Sequence, residues 1–282
     1  MSRILDGAAI AAAIKQEVAE EVRALALQGL RPGLAAVLVG NLPASEIYVR
    51  NKVQACAELG IYSDLITPPA SVTTEEMLSL VSQLNARGDI DGILIQLPLP
   101  AQVDSKRLLD AIDPAKDVDG LHPVNAGRLL AGRPALTPCT PAGVIEILKR
   151  SNIPIAGQNA VVVGRSDIVG KPVALLLLHQ NATVTICHSK TRGLPELVRE
   201  ADIVLGAVGR PEFIKSAWIR DEAVVVDAGY HPGNVGDVEL GPVIPRCVAY
   251  TPVPGGVGPM TIATLISQTV VAAESTLGIE GA

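Results

Sequence analysis

Short aliphatic runs alternate with helical patterns along the chain, and this alternation constrains the fold more than any other feature of the sequence. The runs Leu34–Val39, Gly92–Leu97 and Ala160–Val163 are almost continuously apolar, instead of apolar at every second residue. Strands that are buried on both faces of a parallel sheet have this pattern. Only one Phe, one Trp and four Tyr occur among 282 residues, so aliphatic side chains must fill the core. The sequence therefore predicts an α/β protein.

The alternation falls into two stretches, separated by loop signals around residues 113–140. In the first stretch we predict helices over Ala8–Gln28 and Ser45–Leu59, a helix after the capping box Thr73–Glu76, and strands over Leu34–Val39, Ile61–Ile66 and Gly92–Leu97. In the second we predict strands over Ala160–Val163, Thr183–Cys187, Asp202–Leu205 and Ala223–Asp227, with helices from about Val169 and near Pro195–Glu200. A helix that Thr140-Pro141 opens links the two stretches, and a last helix runs from Pro259 to about Leu277. The second stretch has the rhythm of a doubly wound parallel sheet.

Composition and charge argue against several functions. The net charge is -6 and basic residues are not clustered, so neither nucleic acid nor an acidic membrane surface is an expected partner. Asp6 lies where a signal peptide needs an apolar run, and no apolar stretch is long enough to span a bilayer, so we expect a cytoplasmic protein. The cysteines (Cys56, Cys139, Cys187 and Cys247) and the four histidines lack the spacing of a metal site. We expect reduced, mostly buried thiols and no bound metal.

A glycine-containing loop follows the strand Ala160–Val163 and precedes a helix. It reads Gly164-Arg165-Ser166-Asp167-Ile168-Val169-Gly170, without the middle glycine of the usual dinucleotide fingerprint. Glycines at such a turn let the backbone approach a phosphate, and the helix N-terminus favours its negative charge. We interpret the loop as a dinucleotide site; the alternative is a turn that only packs helix on sheet.

The residues after the next strand bear on the choice of cofactor. An NAD site usually has an acid at this strand end, which binds the ribose hydroxyls. Here the strand is followed by His188-Ser189-Lys190-Thr191-Arg192, which contains no acid. Arg165, Ser189 and Lys190 are suited to hold a 2′-phosphate instead, so we predict NADP, although the same residues also fit an ordinary polar loop.

A candidate catalytic face lies on the second predicted helix. Ser45, Tyr48 and Lys52 are spaced so that they share one face, and the neighbouring stripe of Val49, Val53 and Cys56 is apolar. Desolvation at the border of a core disfavours the charged form of an amine, and a Lys beside a Tyr is a reasonable pair for proton transfer. The alternative is a snorkelling lysine next to a boundary tyrosine.

Three further segments carry candidate site residues. Gln96 stands at the C-terminal end of an apolar strand, which is where open α/β sheets bind ligands. Asp117 and Asp119 lie in the tight loop Lys116–Gly120, where turn chemistry is the alternative explanation. The segment Thr251–Thr261 is dense in Gly and Pro, so flat ligand surfaces could lie against its backbone; the alternative is a plain linker.

Together these segments resemble the bifunctional methylenetetrahydrofolate dehydrogenase/methenyltetrahydrofolate cyclohydrolase family over essentially the whole chain. The resemblance is carried, in family order, by Tyr48–Lys52, Gly92–Pro100, Lys116–Gly120, Thr137–Pro141, Gly164–Ser166 with Val169-Gly170, and Pro254–Thr261. Each motif alone is modest, and all six together are highly specific.

The resemblance implies an activity and a set of roles. The family oxidises methylenetetrahydrofolate to methenyltetrahydrofolate with NADP and then hydrolyses the product to formyltetrahydrofolate, in one-carbon metabolism. By resemblance Lys52 is the catalytic lysine, Tyr48 its neighbour, Gln96 the residue that tunes it and Asp119 the pterin anchor. The implied folate contacts are Pro254, Gly255, Gly256 and Gly258, and the implied cofactor contacts are Gly164, Arg165, Ser166, Ser189 and Tyr230.

The resemblance also implies an organisation. Residues 1–139, completed by a C-terminal helix at about 262–282, are expected to form an N-terminal α/β folate and catalytic domain. Residues 140–261 are expected to form a Rossmann-type NADP-binding domain. The family is typically homodimeric, with its active site in the cleft between the domains.

The chain departs from the family pattern at several positions. Leu121 stands where Phe is common, Ala142 where Lys is frequent, and Tyr230-His231 where the family usually has Ile-Asn. None of these changes removes a proposed catalytic group. The alternatives are a dehydrogenase with weak or no cyclohydrolase activity, a shikimate-type dehydrogenase, and a nucleotide-binding regulatory module without catalysis.

Overall fold

The computed structural model describes residues 2–40 and 43–276, and it describes Pro43, Ala44, Ser45, Tyr48 and Thr276 by their backbone alone. The chain divides into two compact units, each assembled from separated segments. We call them the six-stranded unit (Met1–Ala12, Leu129–Arg133 and Pro138–Thr261) and the three-stranded unit (Ala13–Arg128, Pro134–Thr137 and Ile262–Ala282).

The helices and strands follow one another in alternation. In chain order they are β1 (Arg3–Ile4), α1 (Gly7–Leu27), β2 (Gly33–Val37), α2 (Pro43–Glu58), β3 (Tyr62–Ile66), α3 (Thr74–Ala86), β4 (Gly92–Ile95), α4 (Ser105–Leu109), α5 (Pro123–Leu130), α6 (Cys139–Arg150), β5 (Asn159–Val163), α7 (Gly170–His179), β6 (Thr183–Cys187), α8 (Leu194–Arg199), β7 (Ile203–Gly206), a short 3₁₀ helix (Ser216–Trp218), β8 (Val224–Asp227), α9 (Leu240–Val243), β9 (Ala249–Tyr250) and α10 (Val257–Thr276). The predicted α/β class with parallel sheets is confirmed.

The three-stranded unit is a small parallel sheet in the order β3-β2-β4. Every residue of β2 and β4 is buried, as their continuous apolar sequences predict. One core cluster includes Val37 of β2, Ile93 of β4, Met77 and Val81 of α3, and Leu108 of α4. The predicted capping box is confirmed at the start of α3, where the Thr73 and Glu76 side chains bond each other's backbone amides.

The six-stranded unit contains a parallel sheet in the order β1-β9-β8-β7-β5-β6. Its central strands β7 and β8 are buried throughout, and β6 lies at one edge. Since the chain order reverses beside β5, the carboxyl ends of β5 and β7 mark the switch point of a doubly wound sheet, where such folds bind ligands. The predicted Rossmann-type sheet is therefore confirmed.

Some elements were not predicted or begin elsewhere. Strands β1 and β9 have two residues each, too few to show periodicity. Helix α6 begins at Cys139, so Thr140 lies within the helix and does not cap it. The Thr140 hydroxyl is instead bonded to the Thr261 hydroxyl at 2.9 Å. Helix α5 lies within the region that we expected to be loop.

All four cysteines are buried and unbonded to one another, as predicted. Among the described residues, we find no helix with both the length and the apolar character needed to cross a membrane.

Candidate active site

Lys52 and Gln96 are in direct contact within the three-stranded unit. Lys52 of α2 is 7% exposed, and its Nζ donates a hydrogen bond to Gln96 Oε1 at 3.2 Å. Gln96 follows β4, and its backbone amide extends the sheet ladder by donating to the Val37 carbonyl at 2.9 Å. The Gln96 Nε2 group donates to the Leu97 carbonyl at 2.8 Å, so the amide oxygen must face the lysine. Sheet and helix together fix this pair.

Apolar residues flank Lys52 on α2. Val49 and Cys56 flank it on α2 and are both buried. Burial raises the pKa of the neighbouring Cys56 thiol to about 12. An amide oxygen accepts a hydrogen bond from an amine in either protonation state. The pair is therefore suited to proton exchange.

The predicted partners of Lys52 on α2 lie partly outside the described residues. Tyr48 and Ser45 belong to α2 by their backbone, and Tyr48 is one helical turn before Lys52. Their side chains lie outside the described part of the structure, so the proposed Tyr48–Lys52 pair stays a prediction.

The loop that carries Asp119 is built around a different acid, Asp117. The Asp117 carboxylate is 1% exposed and accepts hydrogen bonds from the amides of Leu121 and His122 and from Asn125 Nδ2. Burial raises the pKa of Asp117, and these donors oppose that shift. Asp117 therefore shapes the loop, whereas Asp119 is half-buried and has the exposure that a ligand contact requires.

This loop is attached to β4, the strand that leads to Gln96. The Ile93 amide donates to the Lys116 carbonyl at 2.8 Å. A Cβ added at Gly92 would lie 2.7 Å from a methyl group of Val118, so glycine is needed for the loop to pack this closely. One strand thus supports both Gln96 and the segment that ends in Asp119.

The other predicted folate contacts lie between β9 and the first turn of α10. Pro254, Gly255 and Gly256 are in the loop, and Gly258 is in the helix. Gly255 has φ of +99°, a conformation that favours glycine. The Ala8 amide donates to the Gly255 carbonyl at 2.9 Å, and a Cβ at Gly7 would lie 1.8 Å from the Gly256 carbonyl oxygen. Backbone therefore packs on backbone here, and the loop is firmly held.

The loop between β5 and α7 has the features that phosphate binding requires. Gly164 has φ of +137°, and a Cβ there would lie 2.0 Å from the Ala207 carbonyl oxygen. The Ser166 hydroxyl accepts hydrogen bonds from the Val169 and Gly170 amides, both at 3.2 Å. A hydroxyl has two acceptor positions and one proton, so Ser166 has only its O–H left to donate. Beside a helix N-terminus, a phosphate oxygen is a fitting acceptor.

Arg165 and Ser189 are brought to the same edge of the sheet. Strands β5 and β6 are parallel neighbours with Val163 opposite Cys187, and each of the two side chains stands two residues beyond its strand. Both are exposed, as is Lys190. The Lys190 amide donates to His188 Nδ1 at 3.1 Å, which closes the turn. The sequence pattern and the strand register thus agree on a cationic corner without an acid on the β6 side.

Two buried acids that the sequence did not indicate lie beneath the neighbouring loops. Asp227, at the end of β8, accepts from the amides of Gly229, Asp237 and Val238. The Asp237 carboxylate accepts from three consecutive amides, Val208 to Arg210, and from His231 Nε2 at 2.8 Å. Both acids hold loops at the carboxyl edge of the sheet. The Asp237 carboxylate bonds amides 27 to 29 residues earlier in the chain, so no local motif indicates its role.

Tyr230, a predicted cofactor contact, stands in the loop after β8. Its ring is 57% exposed, and its hydroxyl donates to Asn234 Oδ1 at 3.1 Å. The side chain is accessible at the edge where Rossmann folds bind dinucleotides.

A doubly wound sheet with a phosphate loop, and a buried Lys–Gln pair in a second α/β unit, define the class of a dinucleotide-dependent enzyme with an acid–base site. Comparisons with known proteins agree with this class. The family "Tetrahydrofolate dehydrogenase/cyclohydrolase, catalytic domain" matches residues 5–119, and its "NAD(P)-binding domain" matches residues 138–277.

Individual relatives match along almost their whole length. The bifunctional protein FolD of Solibacter usitatus is 55% identical over 99% of this chain and 100% of its own. The solved FolD methylenetetrahydrofolate dehydrogenase/cyclohydrolase of Campylobacter jejuni superposes with a TM-score of 0.96 at 41% identity, over 98% of this chain and 100% of that one. The dehydrogenase-cyclohydrolase of Trypanosoma brucei, solved with NADP and an inhibitor, gives a TM-score of 0.93 at 39% identity and 98% coverage of both chains.

The chain therefore belongs to the tetrahydrofolate dehydrogenase/cyclohydrolase family. Its activity is that of a bifunctional, NADP-dependent methylenetetrahydrofolate dehydrogenase and cyclohydrolase of one-carbon metabolism, and the resemblance seen in the sequence is confirmed.

Proposed function

We propose that Lys52 carries the proton transfers of the cyclohydrolase step and that Gln96 orients its amine. The observation that supports this role is the hydrogen bond from the buried Lys52 Nζ to Gln96 Oε1. Hydrolysis requires water to attack the methenyl carbon, while protons leave the water and reach a ring nitrogen. A group that exchanges protons near neutral pH is needed for this step. Tyr48, one turn earlier on α2, is proposed as the neighbour that completes the pair.

The dehydrogenase step makes a different demand. Hydride passes from the methylene carbon of the folate to the nicotinamide, which requires alignment and close approach but no proton transfer by a side chain. The residues that bind the two ligands therefore govern this step more than Lys52 does.

We propose Asp119 as the anchor of the pterin. An aminopyrimidinone edge presents adjacent N–H donors, which one carboxylate accepts in bidentate fashion. The half-exposed position of Asp119, beside the buried and internally bonded Asp117, supports this assignment. The rigid backbone of Pro254, Gly255, Gly256 and Gly258 is proposed to contact the folate as a flat surface.

The cofactor is proposed to bind at the carboxyl edge of the six-stranded sheet. Gly164 and Ser166 would meet the pyrophosphate, because the loop backbone is bare there and the Ser166 O–H is available to donate. Arg165, Ser189 and Lys190 would hold the 2′-phosphate of NADP, and Tyr230 would contact the nicotinamide side. In this assignment residues 140–261 form the NADP-binding domain, and residues 1–139 with about 262–282 form the folate and catalytic domain.

The substitution Lys52→Met tests the central assignment, because it keeps the stem of the side chain and removes the amine. We expect cyclohydrolase activity to fall by about 10²–10⁴-fold, the range of positioned acid–base catalysis. Dehydrogenase activity should survive in part and release methenyltetrahydrofolate. Cofactor reduction and the decay of methenyl absorbance measure the two activities separately. Lys106→Met, at an exposed position of α4, is the matched control.

The outcomes of this experiment are distinct. Equal losses in both activities would make Lys52 a residue that positions the substrate. Unchanged activities would reduce it to a lysine that packs its stem on apolar surface.

We further propose that the protein is a cytoplasmic homodimer. Ile186 of the edge strand β6 and Leu178 of α7 are large apolar side chains left exposed in the protomer, and a second copy would cover them. Four unbonded, buried cysteines fit a reducing compartment. Light scattering on the purified protein should give twice the protomer mass. The substitution Ile186→Lys should lower the measured mass toward that of one protomer. Cell fractionation tests the location.

A further inference from the structure

The buried side-chain amide of Gln268 joins three segments of the three-stranded unit. Gln268 stands on α10, is 8% exposed, and belongs to none of the motifs that identify the family. Its Nε2 donates to the Val118 carbonyl at 2.7 Å and to the Thr137 carbonyl at 2.9 Å. Its Oε1 accepts from the Thr137 amide at 2.7 Å. One amide thus bonds backbone groups that lie 150 and 131 residues away in sequence.

The bond to Val118 is made directly next to Asp119. A peptide carbonyl and the following residue share one rigid plane, so holding the Val118 carbonyl limits how the Asp119 backbone can turn. Val118 is held a second time through its side chain, which is fully buried against Gly92 of β4. Val118, which leads into Asp119, is therefore held at two points. Gln268 bonds the Val118 carbonyl, and Gly92 packs against the Val118 side chain.

An amide is well suited to this position. Two carbonyls and one amide N–H of the backbone meet here, and a single Gln supplies two N–H donors and one acceptor to match them. A carboxylate would face the carbonyls with acceptors, and an apolar side chain would offer these backbone groups no hydrogen bond.

We propose that Gln268 is a positioning residue for the Asp119 carboxylate and thereby determines the affinity for the folate substrate. This inference rests on the proposed role of Asp119 as the pterin anchor. Gln268 itself touches backbone atoms of its own chain, so its effect on the substrate must pass through the loop.

The test uses Gln268→Met, which keeps the length of the side chain and removes its hydrogen bonds. We expect the Kd of tetrahydrofolate, measured by calorimetry, to rise about tenfold, since one buried hydrogen bond is worth roughly that factor in an equilibrium constant. The Kd of NADP should not change. In steady state the KM for methylenetetrahydrofolate should rise more than kcat falls.

A double-mutant cycle with Asp119→Asn separates this inference from the assignment beneath it. If Gln268 acts through Asp119, Gln268→Met should weaken tetrahydrofolate binding in the wild-type background and have little further effect in the Asp119→Asn background. An Asp119→Asn variant that binds tetrahydrofolate normally would overturn the pterin anchor. If Asp119→Asn weakens tetrahydrofolate binding but Gln268→Met leaves the Kd unchanged, only the positioning role of Gln268 is overturned. The same conclusion follows if the losses of binding free energy in the two single variants add fully in the double variant.

Three further substitutions keep the test decisive if Gln268→Met folds poorly. Thr269→Val removes a neighbouring buried hydroxyl whose bond stays within α10, to the Leu265 carbonyl, so it should lower stability without changing the Kd of tetrahydrofolate. Gly92→Ala displaces Val118 from the other side, because the added Cβ would meet its methyl groups at 2.7 and 2.9 Å. We expect Gly92→Ala to weaken tetrahydrofolate binding and Val118→Ala to restore part of it. If Gly92→Ala leaves the Kd unchanged, the position of Val118 does not govern binding and the proposal fails.

Discussion

The two ends of the proposed chemistry are built in opposite ways. The Lys52–Gln96 pair consists of side chains held in an apolar surrounding, one on a helix and one at the end of a buried strand. The proposed cofactor edge consists of backbone amides and exposed polar side chains, Arg165, Ser189 and Lys190 among them. A proton-transferring amine benefits from exclusion of water, whereas a phosphate is recognised through N–H donors and cations that can remain hydrated. The difference predicts how each region responds to substitution, pH and salt.

The largest effect is expected where a buried polar group loses its partner. Gln96→Leu removes the acceptor of the Lys52 amine, and we expect cyclohydrolase activity to fall about hundredfold, at the lower end of the range for acid–base catalysis. Gln102→Leu is the matched control, because Gln102 donates to the Ala70 and Val72 carbonyls and has no proposed part in catalysis. Methenyl absorbance decay measures the effect. If Gln96→Leu retains full cyclohydrolase activity, the contact with Lys52 has no chemical role.

Asp227 provides a buried counterpart within the six-stranded unit, and it makes stability depend on pH. Burial, reinforced by the charge of Asp237, raises the pKa of Asp227 from 3.8 to about 6. A carboxyl group whose pKa is higher in the folded state contributes stability that is complete below about pH 4 and is lost as the pH rises through about 6. Relative to Asp227→Asn, which cannot titrate, the wild type should lose about 3 kcal/mol across this window.

Urea unfolding of wild type and variant at several pH values measures this difference. Asp221→Asn is the control, since Asp221 is exposed and pairs with Arg246 at the surface. A difference between wild type and Asp227→Asn that stays constant from pH 4 to pH 7 would show that Asp227 titrates normally.

The two regions also differ in how far the sequence predicted them. Continuous apolar runs predicted β2, β4, β7 and β8, because burial on both faces leaves a local signal. The position of Lys52 beside the core also follows from local spacing on one helix. The contact of Lys52 with Gln96 spans 44 residues and could only be suggested, because it depends on how α2 packs beside β4.

Residues that act through distant backbone atoms left no signal in the sequence. Gln268 bonds carbonyls 150 and 131 residues away, and Asp237 accepts from amides that lie 27 to 29 residues before it. Neither has a motif, since the geometry that gives each its role is created by tertiary packing. The two-residue strands β1 and β9 were missed for a related reason, because hydrogen bonds to neighbouring strands define them.

At the exposed cofactor edge, substitution should change the preference for NADP over NAD more than it changes the rate of catalysis. Arg165→Ala combined with Lys190→Ala removes both proposed cationic contacts of the 2′-phosphate. We expect kcat/KM with NADP to fall about tenfold to thirtyfold, as for the loss of hydrogen bonds to a charged group, while kcat/KM with NAD changes little. Lys149→Ala, an exposed position on α6, is the control. Equal losses with both cofactors would place the 2′-phosphate elsewhere.

The smallest effect, and the most direct measure of the contrast, is the response to salt. Between about 0.1 and 1 M monovalent salt the screening length falls from about 10 to about 3 Å, which weakens attraction between exposed charges and leaves buried contacts almost unaffected. We expect the KM for NADP to rise a few-fold over this range, because Arg165 and Lys190 are exposed. The turnover of saturating methenyltetrahydrofolate should change by less than about twofold, because Lys52 is buried against Gln96. The Arg165→Ala/Lys190→Ala variant should lose most of the salt dependence of KM. If that variant keeps the salt dependence of KM, other cations attract the cofactor. If cyclohydrolase turnover falls with salt as steeply as NADP affinity, the catalytic amine is accessible to solvent. The two regions are then not built in opposite ways.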